Sequence, residues 1–395
     1  MPHNIIVLGA GYTGALAAGR LARRLHTDDV AITLVSAGTE FVERVRMHQL
    51  AVGQELRAHP LTEMFDGTGV VLRHARVDEI DVTRRIVRVS DATGDHELSY
   101  DTLVYGLGSS WDTHGVPGVS EHAHDIAGPE GARKLHRRLA KLTAGSTVTV
   151  VGGGLTGVEA ATEIAESRPD LSVSLVVRGL LGSWLSPRGR DHVRTVTDRL
   201  GITVHEGAAV TAVTEDHVTT EDGRTVPAEV TVWTTGFAVH PIAQASGLEV
   251  AETGQIVVDA TMRSVSHPEV HAIGDAAYAI GQRDQVLRMS CASGTPTAWQ
   301  AADAIAARLT GRRIPMAPLR YFNQCISLGR RDGLIQYVTA DDRPVRAVLT
   351  GRVAALYKEL ICKGAAWGVA NPLLGLPTRR HRVVTSATQP SEAPA

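Results

Sequence analysis

Cysteine is scarce in this chain of 395 residues. Cys291, Cys325 and Cys362 stand far apart and form no C-x-x-C pair, which argues against a disulfide framework and for a reducing, cytoplasmic setting. Long apolar runs are missing as well. No stretch of about eighteen apolar residues occurs, so no membrane-spanning helix is expected, and no charged-then-apolar leader precedes the first strand. Charge of one sign is not in excess: 40 basic and 42 acidic residues leave a formal net charge of −2, which argues against nucleic acid as the main partner. Aromatics make up only 4% of the chain. Lysine is nearly absent beside abundant arginine, a bias that reflects a GC-rich genome more than a mechanism. No metal site is expected, because His267 and His271 are separated by Pro268 and lead into a strand rather than a helix. No Ser–His–Asp arrangement is supported.

Glycine, by contrast, is placed with purpose. Asn4–Leu8 reads as a buried strand, Gly9-Ala10-Gly11-Tyr12-Thr13-Gly14 as a turn, Ala15–Leu25 as a helix and Ala31–Val35 as a second strand. A G-x-G-x-x-G turn between strand and helix is the fingerprint of a dinucleotide site. Its first glycine makes the tight turn, its second lets the backbone approach a pyrophosphate, and its third allows close helix–strand packing. The helix N-terminus behind it offers free N–H groups to phosphate. The unit then recurs: Thr147–Val151 is the strand, Gly152-Gly153-Gly154-Leu155-Thr156-Gly157 the turn, Val158–Glu166 the helix and Leu171–Val177 the next strand. Duplication is far more specific than either copy alone. Val230–Gly236 echoes Leu103–Gly108, extending the repeat beyond the turns.

Between these landmarks, Arg44 and Arg46 follow the second strand, either within reach of phosphates at the first turn or on a solvated helix start. Residues 70–90 read as short strands with a hairpin at Asp91–Asp95, and Gly115–Gly118 as a linker. Pro129–Leu142 reads as a basic, solvated helix. Ile202–Val204, Ala209–Val213 and Val218–Thr220 suggest an antiparallel meander, and Val270–Asp275 a strand ending in Gly-Asp. Thr295 as N-cap and Pro296 at the first helical position open an expected helix over Thr297–Leu309. Residues 321–349 again look like strands, and the final stretch, rich in Ser, Thr, Pro and Ala, is expected to be disordered.

Two dinucleotide sites on one chain point to a flavin served by a nicotinamide. Over about residues 4–312 the chain resembles the two-dinucleotide-binding flavoproteins of the pyridine nucleotide–disulfide oxidoreductase superfamily, within them the type II NADH:quinone oxidoreductase-like branch. The resemblance implies an α/β fold of two Rossmann-like domains. An FAD domain over 1–118 and 256–314 would be interrupted by an NAD(P)H domain over 119–255, with an acceptor or interface region over 315–380 and a tail over 381–395. It implies FAD at Gly9, Gly11, Tyr12, Thr13, Gly14, Ser36, Arg44, Arg46, Val77, Gly108, Gly274, Asp275, Pro296 and Thr297. NADPH or NADH falls to Gly152, Gly154, Thr156, Gly157, Arg178 and Gly236. Glu159 would lie near the flavin–nicotinamide contact as a catalytic residue, or else be a helix-start carboxylate held by the dipole.

Departures from the family pattern redirect several of these expectations. No cysteine lies between Phe41 and Gln49, so dithiol relay chemistry is excluded, and Cys291, between the Gly-Asp motif and the following helix, either lies near the flavin or is a lone buried thiol. The acid expected for the adenosine ribose is replaced by Ser36. In the second unit Val177 and Arg178 stand where an acid would bind the 2′-hydroxyl of NADH, so the lean is towards NADPH, with Arg188 and Arg190 nearby. Trp299 and Asp303 occupy positions of the family's quinone-signature glutamines. The reading is an FAD-dependent NAD(P)H oxidoreductase that passes electrons to a small organic acceptor, a quinone or quinone-like aromatic. Two alternatives stay open: a flavin-dependent tailoring enzyme acting on a biosynthetic intermediate, and a flavoprotein using FAD as scaffold or sensor. Val353–Trp367, with Leu356, Leu360 and Ile361 along one side, allows peripheral membrane contact, packing on the body or a homodimer interface.

Overall fold

The computed structural model describes residues 1–373 and 379–384. Two five-stranded parallel sheets dominate it, and they share one plan. In the first, His3–Leu8 lies centrally, with Val30–Ser36 and Val70–His74 on one side and Thr102–Tyr105 and Val270–Ala272 on the other. In the second, Thr147–Val151 is central, flanked by Ser172–Val176 and Thr203–His205 on one side and Val230–Trp233 and Ala123–His124 on the other. Ile5 pairs with Ile32 and Val7 with Leu34, just as Val148 pairs with Val173. Such apolar strands suit parallel sheets covered on both faces; Ile5, Val7, Leu8, Val148 and Val150 are wholly buried.

Each fingerprint strand runs into a helix, Tyr12–Arg24 or Leu155–Ser167. Gly9 takes a φ of +92°, and a Cβ on Gly14 would stand 1.8 Å from the Gly9 carbonyl oxygen. Gly152 and Gly157 repeat the relation at 1.9 Å. Close helix–strand packing is thus built into both turns, and any side chain at the third glycine would push the helix off its sheet.

An antiparallel bridge of Ser109–Trp111 with Phe237–Val239 joins the two sheet units. A third, antiparallel sheet of Asn323–Ser327, Gly333–Val338 and Pro344–Thr350 docks on the second unit. There Ser186 N–H donates to Gln336 at 3.0 Å, and Asp332 pairs with His192 and Arg199, each at 2.9 Å. Helix Gly351–Ala370 closes over this sheet with Ala354, Lys358, Cys362, Ala366 and Val369 inward. Its outer side leaves Val353, Leu356, Leu360 and Trp367 about 60% exposed. No helix among the described residues is long and apolar enough to cross a membrane.

Three expectations are corrected. Thr203–His205 belongs to the parallel sheet, because it pairs with Ser174–Val176; the antiparallel sheet is Val210–Val213, His217–Thr220 and Thr225–Pro227. The helix expected from Thr297 begins at Cys291, capped by the Ser290 hydroxyl, which accepts from Ser293 N–H at 3.4 Å. Pro296 therefore lies inside the helix, where it lacks the N–H that would bond back to Ala292. Residues 381–384, assigned to the tail, are ordered by partners: His381 N–H donates to Arg24, Arg382 pairs with Asp28 and Asp29, and Val384 N–H donates to Leu309. The rest of that tail lies outside the described residues.

Inside the first sheet, His271 is 1% exposed and its Nε2 lies 3.1 Å from an Arg308 guanidinium nitrogen. Burial, reinforced by the Arg308 and Arg263 charges, pushes its imidazole down to about 3. The unfolded chain therefore binds the extra proton first, and stability falls as pH drops below the ordinary histidine range. His271 alone is expected to remove roughly 2 kcal/mol between about pH 6.5 and pH 5. Denaturant unfolding at the two pH values checks this, with His271→Gln losing that part of the dependence.

Candidate functional site

The two helix N-termini open into one cavity of about 1590 Å³. That exceeds the 300–1,000 Å³ usual for a single small ligand and suits two extended ones. Gly11 and Gly154 are the N-cap residues of the two helices, and neither end has a side-chain cap. Their first N–H groups thus lack the partners that helix starts ordinarily recruit from side chains. No protein atom comes within 4 Å of a Cβ built on Gly11 or Gly154, and both line the cavity. A side chain at either position would fill the space that a phosphate needs.

Beside the first turn stands a charged cluster. Arg44 Nη1 donates to Ser109 Oγ at 3.0 Å and lies 3.4 Å from Asp275 Oδ2, while Ser109 Oγ donates to the same carboxylate at 2.7 Å. Its Nη2 is buried with no hydrogen-bond partner, and the guanidinium lies 5.0 Å from the Phe237 ring centroid. A buried guanidinium nitrogen left unpaired on a cavity wall fits an anionic ligand. Gly9, Tyr12, Thr13, Ser36, Gly108, Gly274 and Pro296 line the same region, and Gly152, Thr156, Arg178 and Gly236 line the second. Gly14 and Gly157 lie just outside the lining, as packing glycines. Thr297 acts from behind, accepting the Gly274 N–H at 3.1 Å and donating to Gly294 at 2.8 Å.

Other expected residues are drawn elsewhere. Arg46 is buried, paired with Glu43 at 2.9 Å and Glu359 at 3.1 Å, and does not line the cavity. Val77 is buried in its strand, away from the lining. Arg188 and Arg190 also lie off the cavity, leaving Arg178 as the cavity-lining arginine of that group. Val177 is buried against Gly153, where a Cβ would stand 2.7 Å from its Cγ1. Trp299 and Asp303 face helix Tyr12–Arg24: Asp303 takes both Arg20, at 2.5 Å, and Arg24, at 2.6 Å, and Arg20 lies 5.4 Å from the Trp299 ring centroid. The residues at those positions therefore do not touch the cavity in this chain.

Several cavity residues escaped the sequence reading. Glu40 lines the end occupied by Ser36 and supplies a carboxylate there, whereas the Ser36 hydroxyl donates to Gly38 at 2.8 Å. Cys325 and Cys362 line the cavity too, beside Cys291, for which a place near the flavin is one of two expectations. Burial pushes the Cys291 thiol up to about 12 and Cys325 up to about 11, so both stay protonated thiols near neutrality. Lys358 and His48, from opposite ends of the chain, line it as well.

Glu159 belongs to the second turn of its helix, which starts at Leu155, so the helix-start reading falls away. Its Oε1 accepts the Ser327 N–H at 2.9 Å and the Lys358 ammonium, and its Oε2 faces His48 Nδ1 at 3.8 Å. Lys358 also donates to the Cys325 carbonyl at 3.1 Å. Burial works against the Lys358 charge, yet the ammonium's pKa lies above its ordinary value, with the Glu159 carboxylate the foremost group that raises it. One turn on, burial pushes the Glu163 carboxyl up to about 7, although Gln54 donates to it. Among the described residues, no group of three or more His, Cys, Asp or Glu is arranged to hold a metal ion.

A dinucleotide turn in each of two duplicated sheets, both facing one cavity, defines a two-dinucleotide flavoprotein architecture. The chain matches the family described as pyridine nucleotide-disulphide oxidoreductase over residues 3–306, and it belongs to that family of oxidoreductases. It is 28% identical over 275 residues to the NADH dehydrogenase-like protein YutJ of Bacillus subtilis, covering 69% of this chain and 76% of that one. It is 27% identical over 374 residues to the demethylphylloquinone reductase NdbB of Synechocystis, covering 90% and 92%. The fold superimposes on the sulfide:quinone oxidoreductase of Aquifex aeolicus with a TM-score of 0.79 at 18% identity over 100% of both chains.

Replacing Glu159 by Gln strands a buried ammonium, and the expected loss is about 3–5 kcal/mol of stability. Adding Lys358→Met to that variant is expected to recover most of the loss. Denaturant midpoints of the two single variants and the double variant check this coupling.

Proposed function

We propose that the protein is an FAD-dependent NAD(P)H oxidoreductase that passes a hydride from NADPH to the flavin and electrons onward to a small, quinone-like acceptor. The observation that carries this reading is the pair of helix N-termini without side-chain caps, opening into one cavity. In the reading, residues 1–118 and 256–314 form the FAD unit and 119–255 the nucleotide unit. Gly9, Gly11 and Gly14 shape the turn for the FAD pyrophosphate. Arg44 supplies its unpaired nitrogen to that anion, and Asp275, held by Ser109, accepts from the ribityl hydroxyls. Gly152, Gly154 and Gly157 do the same work for the nicotinamide nucleotide. The bound flavin supplies the two-electron relay between nicotinamide and acceptor.

Arg178 supports NADPH over NADH. It is exposed at the end of the second unit's strand, lines the cavity, and replaces the acid that would favour a free 2′-hydroxyl. The demethylphylloquinone reductase among the relatives supports a quinone-like acceptor. The apolar outer row of helix Gly351–Ala370 is continuous with Ile361, which is 49% exposed and lines the cavity. That continuity suits entry of a lipophilic acceptor, and contact of this row with a membrane surface is part of the reading.

Steady-state oxidation of NADPH with a soluble quinone tests the reaction, and its absence with any quinone would contradict it. Arg178→Ala is expected to raise the KM for NADPH about tenfold or more while leaving NADH unchanged, since only the 2′-phosphate contact is lost.

A further inference from the structure

At the acceptor end of the cavity, a buried polar atom is left over that neither nucleotide uses in the reading above. His48 is 4% exposed, lines the cavity, and its Nε2 has no hydrogen-bond partner. Leaving an imidazole nitrogen unpaired in the interior is costly, so its place on a cavity wall points to a ligand. The opposite nitrogen, Nδ1, faces Glu159 Oε2 at 3.8 Å. Glu159 is in turn fixed through its other oxygen by the Ser327 N–H and the Lys358 ammonium. A carboxylate behind one ring nitrogen and a buried, unpaired nitrogen opposite, on a residue of the cavity wall, is an arrangement that orients an imidazole for proton transfer.

We propose that His48 is the catalytic acid–base residue for the electron acceptor, and that the acceptor presents a carbonyl oxygen that becomes a hydroxyl on reduction. The proposal deepens the flavoprotein reading and rests on it. Converting a conjugated dicarbonyl to its diol takes two electrons and two protons. Both electrons and one proton arrive as a hydride equivalent from the reduced flavin. The second proton leaves Nε2 of protonated His48 for the acceptor oxygen, and His48 regains it from solvent. Glu159 faces the imidazolium during the transfer, and Lys358 keeps Glu159 in place.

Burial pushes the His48 imidazole down to about 4; Glu159 opposes this, and Lys358, Arg330 and Arg46 reinforce it. On the helices packed against it, Glu163 accepts from Gln54 through one oxygen and leaves the other unpaired, and the His136 ring lies beside Gly53. The protonated fraction of His48 therefore shrinks about tenfold per pH unit above that value. Acceptor reduction slows accordingly as pH rises.

The test uses the flavin-loaded protein and His48→Gln, each reduced anaerobically with dithionite and mixed with a soluble naphthoquinone. His48→Gln is expected to reoxidise at least about tenfold more slowly and to lose the fall in rate with rising pH. Its affinity for the naphthoquinone, read from perturbation of the oxidised flavin band, is expected to drop about threefold, as for one lost hydrogen bond. An unchanged reoxidation rate, or a retained pH slope, overturns the proposal. Equal slowing of flavin reduction by NADPH and of reoxidation also overturns it, because that marks a merely structural role. His48→Asn gives the same readouts should the glutamine variant fail to fold. Dithionite replaces the nucleotide here, so a failure of NADPH to reduce the wild-type flavin contradicts the broader reading and leaves this measurement interpretable.

Discussion

Backbone N–H groups at the start of a helix need acceptors, and the two fingerprint helices of this molecule leave that need to the cavity. Tyr12–Arg24 and Leu155–Ser167 both begin behind a glycine with no side-chain cap. A soluble protein ordinarily places Ser, Thr, Asp or Asn there. Gly14 and Gly157 hold each helix hard against its own turn, within a distance that no Cβ could occupy. The positive ends of both helices are thereby locked at the two sides of one cavity, and anionic ligands are the natural complement.

The second constraint is the ion pair that ties three parts of the chain together. Glu159 comes from the second fingerprint helix, Ser327 from the C-terminal sheet and Lys358 from the C-terminal helix. Buried charges require partners, so the C-terminal region cannot dock in another register without leaving one of them unpaired. This fixes where the cavity ends and brings Cys325 and Cys362 to its wall. Arg46 does similar work beside it through Glu43 and Glu359, which explains why it is unavailable to a phosphate.

Local chemistry was legible in the sequence. Strand–glycine turn–helix units are encoded within about thirty residues, and Arg44, Asp275 and Arg178 line the cavity. Errors arose where two local signals competed or where pairing decided. Ser290 and Thr295-Pro296 are both valid helix starts, and the serine further upstream prevails because its hydroxyl and carbonyl find Ser293 and Gly294. Thr203–His205 is short enough to be placed only by its neighbour Ser174–Val176. His48, Glu159 and Lys358 meet across large sequence separations, and no periodicity or spacing in the chain announces such a contact. Trp299 and Asp303 show the converse: a family pattern pointed at positions whose side chains, in this chain, serve the packing of two helices.

The central claim is that two nucleotide sites share one cavity so that a hydride crosses from one to the other. Stepwise anaerobic addition of NADPH to the purified, flavin-loaded protein tests it most directly. The account predicts that the flavin absorbance bleaches rapidly and completely near one equivalent, with NADH slower. A flavin that dithionite bleaches but neither nucleotide does would contradict it, because the second turn would then serve no hydride transfer.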